Sequence, residues 1–305
     1  MWQSGTAFSP GPEARWIMAD FHIHSTYSGG SLYPNEILTM ARNGFLDVIA
    51  ISDHQDLQGS REACVLSMSN LGLPQSILSQ EISLGNHFHF LLIAGKQQKW
   101  GNTSRSALLE KFSIHHQFGG IIILAHPWTM PNSGWARGFL KEIITVGLLD
   151  AVEFFNSSIL EQPPENYTQL RSFWEDWIAP SNVGITGGSD YHYHHQGRAI
   201  GSGRTYLKAF GPGEKGVLDA LRERRCVAGL FSYQNIDLGW LGKGQSILLG
   251  REPWLNELKQ FIVQLQLDLK RIRFLKSSIK KDFTRLIEGG YYQMARELLI
   301  AQPNG

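Results

Sequence analysis

Short apolar runs alternate with helix-like stretches along most of the 305-residue chain, and this alternation limits the fold more than any other feature. Short runs bounded by turn residues read as buried strands, and longer stretches with apolar residues on one face read as helices. Strands are expected at residues 16–23, 47–52, 76–82, 87–94, 120–125, 149–155, 183–186 and 204–208, and helices at 34–42, 59–69, 104–118, 136–146, 165–178 and 214–224. Pro34 opens its helix, Gly44 stands just past its end, and Gly85-Asn86 marks a turn between two strands. Strands separated by crossover helices imply a mostly parallel sheet with helices outside, and this many repeats favours a closed or nearly closed barrel.

The pattern changes after about residue 245. Leu255, Leu258, Ile262, Leu265, Leu269 and Ile272 recur at helical spacing, followed by Leu275, Ile279, Phe283 and Leu286. Gly289-Gly290 interrupts the run before a last helix at 291–300. The expected organisation is therefore a barrel over 1–244 and a C-terminal helical hairpin or extension over 245–305. That extension carries ten basic and six acidic residues. Its charges read as the solvated face of an amphipathic element packed on the barrel or on a second copy of the chain. Nucleic-acid contact is disfavoured, since the stretch has no aromatic platform or basic block.

A net charge of +1 gives no general field for nucleic acid or membrane, so an anionic substrate needs a local site. A hydrophobic fraction of 42% excludes disorder. Only Cys64 and Cys226 are present, which points away from a disulfide framework and toward a reducing compartment. The first residues lack a signal-peptide layout, and the longest apolar run, 120–125, is too short for a bilayer. A cytoplasmic protein without membrane contact is expected.

All eleven histidines fall between His22 and His195. His22 and His24 flank Ile23 at a strand end, so alternation puts both imidazoles on one face. His54 follows the second strand, Glu81 ends the third, His126 follows 120–125, and Asp190 and His192 follow 183–186. In a parallel barrel all strands finish at one mouth, so these seven scattered residues converge. Imidazoles and carboxylates without thiolate suit Zn²⁺, Mn²⁺ or Fe²⁺. Seven donors exceed the needs of one tetrahedral ion, which suggests a carboxylate shared by two ions about 3.5–4 Å apart, an arrangement suited to displacement at phosphorus.

Four segments carry a resemblance: His22-Ile23-His24-Ser25-Thr26-Tyr27-Ser28, Ile49-Ala50-Ile51-Ser52-Asp53-His54, Ala125-His126-Pro127 and Gly188-Ser189-Asp190-Tyr191-His192. In order and spacing they resemble the motifs of the PHP (polymerase and histidinol phosphatase) superfamily, over about residues 18–232. The resemblance implies a distorted seven-stranded (β/α) barrel with up to three metals at its mouth. His22, His24, Glu81 and Asp190 would hold the first metal, Glu81 would bridge to a second held by His126, and His54 and His192 would hold a third. A further second-metal histidine is implied in the strand after Glu81, where His89 is preferred to His87. The family usually places an Asp or His five or six residues after its His-x-His pair. Here those positions are Gly29 and Gly30, so either the centre is binuclear or a third ion takes a replacement ligand from His194, His195 and Asp56.

Asp20 and Asp53 read equally as acceptors orienting imidazoles and as capping or turn residues. His115 and His116 read as surface residues near a helix C-terminus. Arg198 and Arg204 are candidate phosphate-gripping residues, and Trp128 is a pocket wall or a core residue. The expected activity is metal-dependent phosphoesterase hydrolysis by a metal-bound hydroxide, with His54, Asp190 and His192 as candidate catalytic residues and His54 or His192 protonating the leaving group. The resemblance favours a nucleotide or RNA 5′ end as substrate. The alternatives are a histidinol-phosphate-type phosphatase and a non-catalytic metal-binding module acting through its helical tail.

Overall fold

The computed structural model describes residues 14–85, 88–97, 104–161, 164–193, 199–237, 243–271, 277–288 and 290–300. The chain runs β1 (Arg15–Ile23), α1 (Pro34–Asn43), β2 (Val48–Ile51), α2 (Gln58–Ser69), β3 (Gln75–Ser76), β4 (Ser79–Ser83), β5 (His89–Ile93), α3 (Arg105–Gln117) and β6 (Ile121–Leu124). It continues through α4 (Gly134–Thr145), β7 (Ala151–Asn156), α5 (Pro164–Phe173), β8 (Gly184–Gly188), β9 (Gly203–Ala209), α6 (Glu214–Arg222), β10 (Cys226–Asp237) and β11 (Lys243–Gly250). Helices α7 (Trp254–Arg271), α8 (Ser277–Glu288) and α9 (Tyr292–Ile300) close it. No described helix is long and apolar enough to cross a membrane.

The strands form two mixed sheets, β11-β10-β9-β1-β2-β3 and β4-β5-β6-β7-β8. This differs from the expected seven-stranded, mostly parallel barrel. Pairings β1–β2, β2–β3, β6–β7 and β7–β8 are parallel, but β4–β5, β5–β6, β1–β9, β9–β10 and β10–β11 are antiparallel. The cause lies in the connections. The turn at Gly85 (φ +81°) reverses the chain without a crossover helix, and β9, β10 and β11 pair consecutively in antiparallel fashion. Strands β10 and β11 were not expected from the sequence, and residue 245 lies inside β11.

Between the sheets, Ile17, Ala19, Phe21, Ala50, Leu91, Ile123 and Ala151 form a core, together with Val217 and Leu221 from α6. Helices α3, α4 and α5 cover the outer face of the second sheet, where Phe90, Phe112, Phe139 and Phe154 pack. The outer face of the first sheet is covered by α1, α2 and the tail, through Ile37, Leu258, Leu265, Phe283 and Tyr292. Beyond their hydrogen-bonded ladders the two sheets meet at isolated bridges, Ile23 with Tyr191 and His54 with Glu81. The backbone N–H of His24 donates to Tyr191 O at 2.9 Å, and that of Glu81 to Ser52 O at 3.1 Å.

Candidate metal centre

An irregularity in β1 decides where its histidines point. Ile17, Ala19 and Phe21 face the core between the sheets, while Trp16 and Met18 face outward. The register then shifts between Asp20 and Ile23, and Ile23 joins the outer cluster. A one-residue shift exchanges faces, so His22 and His24 turn inward. Their neighbours arrive by backbone pairing. The N–H of Asp190 donates to His22 O at 2.8 Å, which sets Asp190 and His192 beside the pair. In the β4–β5 ladder Ser83 stands opposite His89 and Glu81 opposite Leu91, so Glu81 and His89 are diagonal neighbours on one face.

Glu81 occupies the middle. Its Oε2 lies 3.2 Å from His22 Nε2, 3.1 Å from His24 Nε2 and 3.2 Å from His54 Nδ1. Its Oε1 lies 2.8 Å from His89 Nδ1 and 3.3 Å from His126 Nε2. Asp190 Oδ1 stands 3.3 Å from His22 Nε2 and 3.4 Å from His24 Nε2. Four donor groups gather within 4.8 Å: His22/His24/Glu81, His22/His126/Asp190, His54/Glu81/His89 and His24/His54/His192. His22, His24 and Glu81 are fully buried, whereas His54 and His192 form the rim at 38% and 27% exposure.

The hydrogen bonds behind the rings fix which nitrogens carry protons. His22 Nδ1 faces both oxygens of Glu153 at 3.0 Å and donates to them, leaving Nε2 as a lone pair in the neutral ring. Ser28 Oγ donates to Asp53 at 2.7 Å, so it accepts from His24 Nδ1 at 3.1 Å. Thr129 Oγ1 donates to His126 O at 3.0 Å and accepts from His126 Nδ1 at 2.8 Å. Three bare Nε2 atoms therefore face two carboxylates and one another, with His22 and His24 Nε2 only 3.1 Å apart. Lone pairs so close need cations between them, either protons or metal ions. The donor set fits divalent metal.

Protonation follows the same charges. Burial alone would lower His22, but Glu153, Asp190 and Glu81 outweigh it and hold the imidazole well above 6.5. Burial is likewise overcome at His24, by Asp190 and Glu81, and at His126, by Glu81, so both are raised. Burial would raise Glu81 and Asp190, yet the imidazoles, His22 foremost, bring both below the usual carboxylate range. At the rim burial prevails, taking His54 down to about 4 and lowering His192. Asp20, pushed up to about 6 by burial, accepts from the backbone N–H groups of Ser189 at 3.0 Å, Gly201 at 2.8 Å and His22 at 3.2 Å. Asp53 accepts from the Ser25 N–H at 2.8 Å and reaches His24 through Ser28.

Two donor residues sit on backbone that L-residues seldom adopt, His126 at φ +25° and Asp190 at φ +50°. Such conformations cost of order 1–3 kcal/mol and persist where surrounding structure imposes them. Gly29 (φ +90°) faces His192, 3.9 Å from where its Cβ would stand, and a Cβ on Gly30 would collide with the His24 and Ser25 carbonyls.

Several expected residues lie elsewhere. Arg204 is buried, with its guanidinium 4.4 Å from the centroid of the Phe231 ring and 5.1 Å from that of Tyr291. Asp56 accepts from the Gln58 N–H at 2.6 Å at the start of α2. His115 is buried, contrary to the surface reading, and lies near the carbonyls of Lys96 and Ile121. His87, His194, His195 and Arg198 lie outside the described residues. Glu153, with its bonds to His22, the His126 N–H at 3.1 Å and Asn156 at 2.9 Å, was not anticipated. Its signal was an acid inside the apolar strand Ala-Val-Glu-Phe-Phe, where a charge needs a partner.

Among solved structures, the chain superposes on a two-domain protein from Bacteroides vulgatus that contains a predicted PHP-like metal-dependent phosphoesterase. The TM-score is 0.52 and the identity 19%, over 72% of this chain and 66% of that one. The fold is PHP-like. A protein from Bifidobacterium adolescentis described as a metal-dependent phosphoesterase by inference gives a TM-score of 0.45 at 19% identity, over 67% of this chain and 95% of that one. An amidohydrolase from Chromobacterium violaceum, solved with sulfate and no metal, gives 0.43 at 15%, over 57% and 87%. No family model matches the chain, and no curated protein is significantly similar to it. The PHP-like fold thus rests on structure, and the functional reading on the residues.

Proposed function

We propose that the chain is a metal-dependent phosphoesterase whose centre is organised around Glu81. The observation that carries this reading is the division of one buried carboxylate between two sets of imidazoles, His22, His24 and His54 on one oxygen and His89 and His126 on the other. That geometry supports two divalent ions, Zn²⁺, Mn²⁺ or Fe²⁺, with Glu81 between them and Asp190 beside His22 and His24. Such ions neutralise phosphate oxygens and make a water-derived nucleophile available at neutral pH. The chain's part is to hold His22 through Glu153, His24 through Ser28 and His126 through Thr129, so that lone pairs converge without reorganisation. The rim imidazoles His54 and His192 are kept neutral by burial, which suits lone-pair donors to a third ion better than proton donors to a leaving group. We further propose a nucleotide or RNA 5′ end as substrate.

The test is phosphate release from nucleoside 3′,5′-bisphosphates, 5′-phosphorylated oligoribonucleotides and histidinol phosphate. It uses chelator-treated protein, the same protein resupplied with each metal, and Asp190→Asn. Turnover that requires metal and is lost in a folded Asp190→Asn variant supports the reading. Full turnover without metal refutes it, and no turnover on any phosphate ester favours a non-catalytic metal-binding module.

A further inference from the structure

The connection between β8 and β9 brings Asp190 and His192 to the centre, and both of its ends are tied to one carboxylate on β1. Asp20 Oδ1 accepts from the Ser189 N–H at 3.0 Å, and its Oδ2 accepts from the Gly201 N–H at 2.8 Å. Oδ1 also takes the N–H of His22 at 3.2 Å, where the register of β1 shifts. The carboxylate stands at a seam in the fold. The β1–β9 ladder ends where Ala19 pairs with Thr205, so from Asp20 onward β9 no longer accompanies β1, and Asp20 meets the N–H groups that arrive there instead. Asp20, His22 and Ser189 are fully buried. A buried carboxylate needs partners, and here they come from three segments that build the centre. At one end of the connection Ser189 Oγ donates to His22 O at 3.2 Å, and Asp190, the next residue, sits at φ +50° and donates its N–H to the same oxygen at 2.8 Å. Such a backbone persists where its surroundings impose it. At the other end Ser202 Oγ donates to Ala199 O at 2.7 Å and Arg204 Nε to Gly201 O at 2.5 Å.

We propose that Asp20 is a positioning residue, whose carboxylate clamps both ends of the β8–β9 connection to the register shift of β1 and thereby holds the Asp190 carboxylate against the His22 and His24 imidazoles. Its effect on metal rests on the metal centre of the proposed function, whereas the clamp itself does not. Asp20 acts through Asp190, whose Oδ1 lies 3.3 Å from His22 Nε2 and 3.4 Å from His24 Nε2. An amide cannot take over the task. With two N–H groups at Oδ1 and one at Oδ2, the single oxygen of an asparagine settles where two donors converge, and its NH₂ then faces the Gly201 N–H, donor to donor. Asp20→Asn therefore releases the Gly201 end at nearly constant volume and keeps the other two contacts.

Amide hydrogen exchange and a double-mutant cycle on the full chain separate the two claims. By NMR, Ser189 and Gly201 of the wild-type protein, which lie outside the strands, are expected to exchange as slowly as the amides of β1. In Asp20→Asn the Gly201 amide should exchange at least about tenfold faster while β1 stays protected. Exchange of both wild-type amides at the rate of open loop would overturn the clamp, even if the variant failed to fold. The cycle pairs Asp20→Asn with Asp190→Asn and reads zinc affinity by competition with a chromogenic chelator. Asp20→Asn alone should weaken zinc about tenfold, the lower end of the effect of changing a partner of metal ligands. On the Asp190→Asn background it should weaken zinc no further, because the residue it positions is already disabled. Equal losses on both backgrounds, as a general structural or charge effect would give, or unchanged zinc affinity in folded Asp20→Asn, would reject the positioning role and leave the metal centre standing. A wild-type protein that takes up no metal would reject the centre and this role together.

Discussion

Glu153 shows how much of the centre depends on a residue that holds no position in the four motifs. It fixes the tautomer of His22 and the backbone of His126 together, and metal sites commonly lose about 10–100-fold in affinity when such a partner is changed. Glu153→Gln, with little change in volume, should therefore bind divalent metal about 10–100-fold more weakly while folding normally, as read by competition with a chromogenic chelator. Protons compete for the same sites. In the metal-free protein the raised values of His22, His24 and His126 mean that their protonated forms stabilise the fold below about pH 6.5, and this contribution is lost as pH rises through the raised values. Metal should replace it, so the gain in Tm on adding metal is expected to be larger at pH 8 than at pH 6; a gain larger at pH 6 would contradict this. The histidines and acids of the motifs were legible in the sequence because donor residues follow strand ends. Glu153 was not, since one acid in an apolar strand reads first as a flaw in the pattern, and its two dependants come from β1 and the turn after β6.

Among the elements, β1 and β8 carry the tightest constraint. The parity shift after Asp20 turns His22 and His24 into the centre, and strict alternation, which assigns faces from the outer residues Trp16 and Met18, has no means of placing it. On β8 the pair Gly187-Gly188 lets β1 and β9 approach closely. A Cβ on Gly188 would collide with the Glu153 carboxylate and stand 2.8 Å from His22 Cβ. Gly188→Ala should thus lower metal affinity and activity together, with secondary structure retained by circular dichroism; normal metal content in that variant would show that the centre does not need this approach. Strand and helix positions were largely legible from apolar runs and caps, for example α1 with Pro34 at its start and α3 capped by Ser104, whose Oγ accepts from the Ala107 N–H. The β10–β11 hairpin was not, because its polar stretch reads as loop and its pairing is decided by the free edge of β9.

At the scale of the molecule, the C-terminal helices belong to the core of the first sheet. Tyr206 donates to Gly290 O at 2.7 Å, Lys208 pairs with Glu257 at 2.8 Å, and Arg204 lies against Phe231 and Tyr291. Leu258, Leu265, Phe283 and Tyr292 are buried there. At about 1.5–3 kcal/mol for each large apolar side chain, these four approach the whole of an ordinary folding free energy of about 5–15 kcal/mol. A chain ending at Gly250 is therefore expected to be insoluble or to melt more than about 10 °C lower; an unchanged Tm would show the helices to be an independent appendage. The amphipathic spacing announced helices and an apolar face, but the surface that receives them includes strands the sequence did not reveal.

The proposed centre requires Glu81 to lie between metal ions. Crystals of the metal-loaded protein, measured above and below the absorption edge of the bound metal, give the positions of the ions directly. Anomalous peaks are predicted on both sides of the Glu81 carboxylate, one within coordination distance of His22 and His24 and the other of His126. No peak within reach of either Glu81 oxygen, in crystals that hold metal elsewhere, would contradict it.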